Sequence, residues 1–237
     1  MLAVSIRAEA EVVVLPTPSW LDVTIPLACN MPRAFAYSAP RFTPAVVGTQ
    51  PNGEPVTAMH IDMYSHVGTH IESARHILAS GPTLDEYPPD HFVGRGYAVD
   101  LSSGGNHCIG AQELAEAAPN VEPDAFVLLR LREAKDDEPA TADHPYLSEE
   151  AASWLVEQKV RVVGVDTPTP DMDVRRRPHP LDLPVHRILL GAGLLIIENL
   201  GGDLRDACGK ALTVHAWPLK IYGSDSSPVR VMLRQEL

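Results

Sequence analysis

The segment His66-Val67-Gly68-Thr69-His70-Ile71-Glu72-Ser73-Ala74-Arg75-His76 sets three imidazoles and a carboxylate around one glycine. No other stretch of the sequence concentrates so many metal-ligand side chains. Neutral imidazole combined with carboxylate suits zinc or manganese. Such a centre activates water and polarises carbonyl oxygens, so the segment points to a metal-dependent enzyme. Ordinary surface or core histidines are the plainer explanation. Three of them within eleven residues, interleaved with an acid, outweigh it.

Geometry limits what the segment can look like. In a straight strand His66 and His76 would lie roughly 33 Å apart, beyond the reach of one ion. In a straight helix His66 and His70 would align, but Gly68 between them weakens a helix interior. The spacing therefore predicts a turn at Gly68, followed by a short helix that brings Glu72 and His76 onto one face.

A second half-site lies far along the chain. Residues 182–190 read as a helix, with Asp182 near its cap, Pro184 in its first turn, and Gly191 and Gly193 ending it. The apolar run Leu194-Leu195-Ile196-Ile197 reads as a buried strand, closed by Glu198. A buried acid must be paired or bound to a cation, so Glu198 is either a second metal ligand or half of a salt bridge, with Arg187 the candidate partner. Asp166 closes another strand in the same way and either lines a pocket beside Glu198 or caps the Thr167-Pro168 turn. Arg175-Arg176-Arg177 sits among Asp171, Asp173 and Asp182, which favours an internally paired loop over a carboxylate clamp at the site mouth. The remaining histidines have no comparable neighbours.

Short elements must position these groups. Strands are expected over 11–15, 20–24, 96–101, 125–130 and 161–166, and helices over 112–118 and 148–157, the latter capped by Ser148. Residues 28–58, rich in proline, read as a long loop leading into the histidine motif. This alternation fits a mixed α/β fold, and no long linker divides the 237 residues, so residues 1–237 are expected to form a single domain. No apolar run has the length of a membrane span, and charges interrupt the opening residues too early for a secretory signal. Three widely spaced cysteines argue against a disulfide framework, so a cytoplasmic protein is expected. The net charge of -12 disfavours nucleic acid as a partner.

The chain resembles the cyclase family of metal-dependent hydrolases, whose members include bacterial kynurenine formamidases, isatin hydrolases and polyketide-type cyclases. The family pattern His-x-Gly-Thr-His-x-Asp-x-Pro-x-His runs through residues 66–76, and four further stretches match in order: 21–27, 164–168, 186–200, and 218–220 with 227–230. The resemblance implies a swivelling β/β/α architecture with a mixed sheet. It implies that His66, His70 and Glu72 bind a divalent metal, that His186 and Glu198 complete a second site in dinuclear members, and that His76 transfers a proton. One or two ions, zinc or manganese, remain open. It also implies a homodimer or homotetramer.

Two positions depart from the pattern. Glu72 stands in place of aspartate, moving the carboxylate by about 1.5 Å, and Ala74 stands in place of proline. Residues 31–34 lack the tryptophan that kynurenine formamidases use against their aromatic substrate, and only 5% of residues are aromatic. Both weigh against kynurenine formamidase proper. The expected reaction is hydrolysis of a small-molecule amide, formamide or cyclic amide through metal-activated water, His76 passing a proton to the leaving nitrogen. The alternatives are cyclisation or dehydration of a polyketide-like metabolite, and a binding protein disabled at Glu72.

Overall fold

The computed structural model describes residues 20–31, 37–133 and 143–235. In chain order its strands are β1 (Trp20–Asp22), β2 (Arg41–Thr49), β3 (Pro55–Asp62), β4 (His70–Glu72), β5 (Val93–Ser103), β6 (Cys108–Ile109), β7 (Phe126–Arg132), β8 (Tyr146–Leu147), β9 (Val162–Val165), β10 (Leu195–Glu198), β11 (Ala211–His215), β12 (Ser226–Pro228) and β13 (Met232–Gln235). Its helices are α1 (Ala111–Ala117), α2 (Glu149–Glu157), α3 (Pro184–Gly191) and α4 (Leu204–Ala207). The strand expected over 11–15 lies outside the described residues.

Nine strands form one mixed sheet in the order β1-β13-β11-β5-β7-β9-β10-β4-β12. The central neighbours β5, β7, β9 and β10 run parallel, and β7, β9 and β10 carry continuous apolar runs because both faces are covered there. Side chains alternate between two cores. Val127, Leu129 and Leu131 of β7 join the core built with α1, α2 and α3, while Phe126 and Leu128 face the core built with Leu200, Leu204 and Val214. Helix α2 begins as expected, with Ser148 Oγ accepting from Ala151 N at 3.1 Å.

The long loop expected over 28–58 is corrected. Within it and beyond, β2 and β3 pair antiparallel as a hairpin, with a bulge between Val46 and Gly48. Proline misled the reading: Pro44 and Pro55 cannot donate to a ladder, but a two-stranded ribbon has free edges that need no donor there. Val46, Val47, Met59 and Ile61 of this hairpin are exposed apolar side chains. Among the described residues no helix is long and apolar enough to cross a membrane.

Candidate metal centre

Gly68 turns the chain as expected, with φ +75; a Cβ there would meet Leu27 Cδ2 at 2.8 Å. The short helix expected after it is corrected. Residues 70–72 form β4, held between β10 and β12, and only Ala74–His76 make a single 3-10 turn. The alternation of β4 does what the helix was expected to do. It sends His70 and Glu72 to one face and Ile71 to the core behind. Glu198 lies directly opposite His70 in the antiparallel β4–β10 register, so its carboxylate emerges on the same face. The 3-10 turn then returns His76 to within 3.9 Å of Glu72.

His186 arrives on α3, which packs over β10. Asp182 does not cap this helix. It pairs with Arg187 at 2.8 Å on the surface, and Asp171 accepts from the Val185 and His186 backbone N–H groups at 2.8 and 3.2 Å instead. This also removes the Arg187–Glu198 salt bridge as an account of Glu198.

Five side chains close a ring in which imidazoles and carboxylates alternate except where His66 meets His70. His66 Nδ1 is 3.1 Å from Glu72 Oε2, and Glu72 Oε1 is 2.8 Å from His186 Nε2. His186 Nε2 is 3.3 Å from Glu198 Oε1, and Glu198 Oε2 is 3.3 Å from His70 Nε2. The His66 and His70 rings meet edge-on at 5.1 Å. His70 Nδ1 lies 2.8 Å from the Gly68 carbonyl, which can only accept, so Nδ1 carries the proton and Nε2 faces the ring with its lone pair. His186 Nδ1 donates to Asp171 at 2.5 Å, which leaves Nε2 as the nitrogen that faces the ring. Ligand histidines in metal sites are oriented in this manner.

Buried charge in the ring is mutually compensated. Burial opposes charging His66, yet its hydrogen bonds to Asp225 and Glu72 raise it to about 9. Burial likewise opposes the charge on His186, but Glu72, Asp171 and Glu198 outweigh it and hold the imidazole well above its ordinary value. Glu72 is held well below its ordinary value, burial being overcome by His186 and His66. Burial and Glu72 both push Glu198 up, and the adjacent His186 and His70 imidazoles bring it below its ordinary value.

A divalent cation fits this donor set. His70 Nε2, Glu72 Oε1 and Glu198 Oε1 are buried and lack well-directed hydrogen bonds, although His186 Nε2 stands close to both carboxylate oxygens. Unpartnered buried atoms are costly, and here they converge on one locus. Donor atoms of His66, His70 and Glu72 lie within 4.8 Å of one another, as do those of Glu72, His76 and His186. All six residues singled out from the sequence are therefore brought together.

Sequence reasoning missed three neighbours. The sequence marks Asp171 only as a partner for the neighbouring arginines. Asp225, just before β12, contacts His66 and His76, whose hydrogen bonds hold it below the usual carboxylate range. Tyr37 lies parallel to the His66 ring at 5.8 Å and 5.1 Å from Tyr64, supplying aromatic surface that composition had not located. Burial first, then Glu198, Glu72 and Asp225, raises the Tyr37 phenol to about 12, so it stays a neutral O–H at pH 7. Asp225 lies between the matched stretches 218–220 and 227–230, so the family resemblance does not mark it.

Asp166 neither joins the ring nor caps Thr167-Pro168. It accepts from Leu131 N and Arg132 N at 2.8 and 3.2 Å, and burial raises its carboxyl to about 6 despite these bonds. Arg175 and Arg176 pair with Asp143, and Arg175 also with Asp173, as the internally paired loop requires. A groove of about 410 Å³ beside α2, lined by Glu149, Trp154 and Ile188, holds none of the ring residues.

The model of the Cyclase family ("Putative cyclase") matches residues 21–172, well over half of the chain. The chain belongs to the Cyclase family. A kynurenine formamidase of Bacillus cytotoxicus is 30% identical over 91% of this chain and 97% of its own. A solved "potential metal-dependent hydrolase with cyclase activity" is 28% identical, with a TM-score of 0.74 over 92% of this chain and 98% of that one. Isatin hydrolase A from Labrenzia aggregata, at 24% identity, shares the fold with a TM-score of 0.77 over 92% of this chain and 94% of its own. The mixed α/β architecture expected of the family is thus present.

Proposed function

We propose that this Cyclase-family chain is a metal-dependent hydrolase of small amides, with an N-formylated aryl amine as its first candidate substrate. The observation that carries the reading is the ring of His66, Glu72, His186, Glu198 and His70, with three of its buried donor atoms left unpartnered. The kynurenine formamidase relative supports the choice of a C–N bond outside peptides.

In this reading His66, His70 and Glu72 hold one divalent ion, and Glu72, His186 and Glu198 a second. Zinc or manganese suits both sets. When bound, the ion supplies a water of lowered pKa and Lewis-acid polarisation of the substrate carbonyl. His76 keeps Nε2 towards the ring, 3.9 Å from Glu72 Oε2, where it would take a proton from the attacking water and pass it to the leaving nitrogen. Tyr37 and Tyr64 present ring surface for an aryl group, which compensates for the tryptophan that residues 31–34 lack.

A second reading, cyclisation of a metabolite by the same residues, draws on the 28% identical hydrolase with cyclase activity. The proposal also carries a cytoplasmic location and a homodimer or homotetramer, checked by light scattering. The exposed Met59 and Ile61 of the β2–β3 hairpin offer apolar surface to such an assembly.

Elemental analysis of purified wild type and His186→Ala tests the metal assignment. About two ions per chain, falling to one on mutation, supports the dinuclear form, and one ion unaffected by mutation supports the mononuclear form. No ion after reconstitution overturns the proposal.

A further inference from the structure

Asp225 belongs neither to the metal motif nor to the distal half-site, yet it is fastened into both the backbone and the side chains of the centre. Its carbonyl accepts from Ser73 N at 2.9 Å and from Ser73 Oγ at 3.1 Å, pinning it between Glu72 and the turn that bears His76. Its neighbour Ser226 pairs with Glu72 in the β4–β12 register and hydrogen-bonds Ser65 beside the first histidine. From this anchorage a single oxygen, Oδ2, accepts from His66 Nε2 at 2.8 Å and from His76 Nδ1 at 3.2 Å. The two rings stand 4.2 Å apart, centroid to centroid.

The chemistry of a carboxylate settles which nitrogen carries each proton. Ionised, it only accepts, so His66 must present N–H at Nε2 and His76 at Nδ1. Once a metal displaces the second proton of His66, the Nδ1 lone pair is directed at the ring of ligands, and His76 keeps Nε2 as the atom that faces the reaction. Gly68 O does the first of these tasks for His70, and Asp171 for His186. Among the described residues, Asp225 alone does both at once.

We propose that Asp225 is a positioning residue that fixes the tautomers of a metal ligand, His66, and of the proton-transferring group, His76, through one shared oxygen. The inference rests on the hydrolase reading for His76 but not for His66, where only metal binding is at stake. Removing the carboxylate then has two separable effects. His66 loses the group that keeps Nδ1 aimed at the metal, and His76 becomes free to turn or to change tautomer.

The test uses Asp225→Asn and Asp225→Ala in the full chain, with zinc affinity read by chelator competition and kcat and KM read on an N-formylated aryl amine at saturating zinc. Both variants are expected to fold, to bind zinc about 10–100-fold more weakly, and to lose about 10-fold or more in kcat with KM little changed. In a His76→Ala background, Asp225→Asn is expected to lower kcat no further while still weakening zinc binding. Zinc affinity within about twofold of wild type in both variants would overturn the inference. So would kcat losses that multiply in the double variant, or failure of both variants to fold, which would assign Asp225 to stability alone. A wild type that binds zinc but cleaves no amide would sink the hydrolase reading and leave the affinity comparison to decide the role of Asp225 towards His66.

Discussion

Asp171 holds His186 twice: its carboxylate accepts from the backbone N–H of that residue at 3.2 Å and from its ring Nδ1 at 2.5 Å. One acid therefore starts the helix and aims the ligand that the helix carries. Asp171→Ala would leave the N–H groups of Val185 and His186 without their acceptor. The expected cost is about 2–4 kcal/mol of stability, with zinc affinity about 10–100-fold weaker. Thermal melting alongside chelator competition reads both, and a stable variant of unchanged affinity would show that the ring of His186 is held by other contacts.

Glu72 spans the gap between the two half-sites, and its length is matched to that gap, at 3.1 Å to His66 and 2.8 Å to His186. Glu72→Asp would convert the residue to the family type but withdraw the carboxylate by about 1.5 Å. Because β4 is paired on both sides, its backbone cannot follow. The variant is expected to bind metal at least about 10-fold more weakly than wild type. Tighter binding in Glu72→Asp would mean that Glu72 impairs the centre, as a disabled binding protein requires.

His76→Ala should leave the metal content intact and lower kcat by about 100- to 10,000-fold. Elemental analysis and initial rates on the same preparation separate the two roles. Loss of metal with surviving activity would make His76 a ligand rather than the proton donor.

Much of the candidate site was legible in the sequence because side chains able to bind metal announce themselves by residue type, and the six named side chains do converge. Their route was less legible. His70 and Glu72 share a face through strand alternation, whereas the spacing from Glu72 to His76 suggests a helix; an i, i+4 pair fits either period until the neighbours β10 and β12 are known. Asp171 and Asp225 escaped notice because a residue that orients a ligand from another element carries no local signature. The β2–β3 hairpin was hidden by its prolines, which mark a loop in sequence and a free edge in space.

Protons occupy the metal-free ring, and their release gives a pH dependence of known sign. With His66 raised to about 9, the metal-free protein is protonated there at pH 7, and metal binding must expel that proton. Affinity should therefore rise by about tenfold per pH unit for each proton displaced, up to pH ~9. The stability of the metal-free protein should run the other way. The His66 contribution is complete below its unfolded value of about 6.5 and is lost as pH rises through about 9. Zinc titration in weak buffer, reading released protons, checks the first statement, and melting of metal-free protein from pH 6.5 to 9 checks the second. Zinc uptake at pH 7 without proton release would contradict both.

Hydrolysis of an amide puts one solvent oxygen into the released acid, and that oxygen can be followed. Zinc-loaded protein would be incubated with N-formylkynurenine in oxygen-18 water and the products weighed by mass spectrometry. The account predicts free aryl amine together with formate carrying one labelled oxygen, abolished by chelation and restored by zinc. Intact substrate under all conditions, or a cyclised product without solvent oxygen, would contradict it.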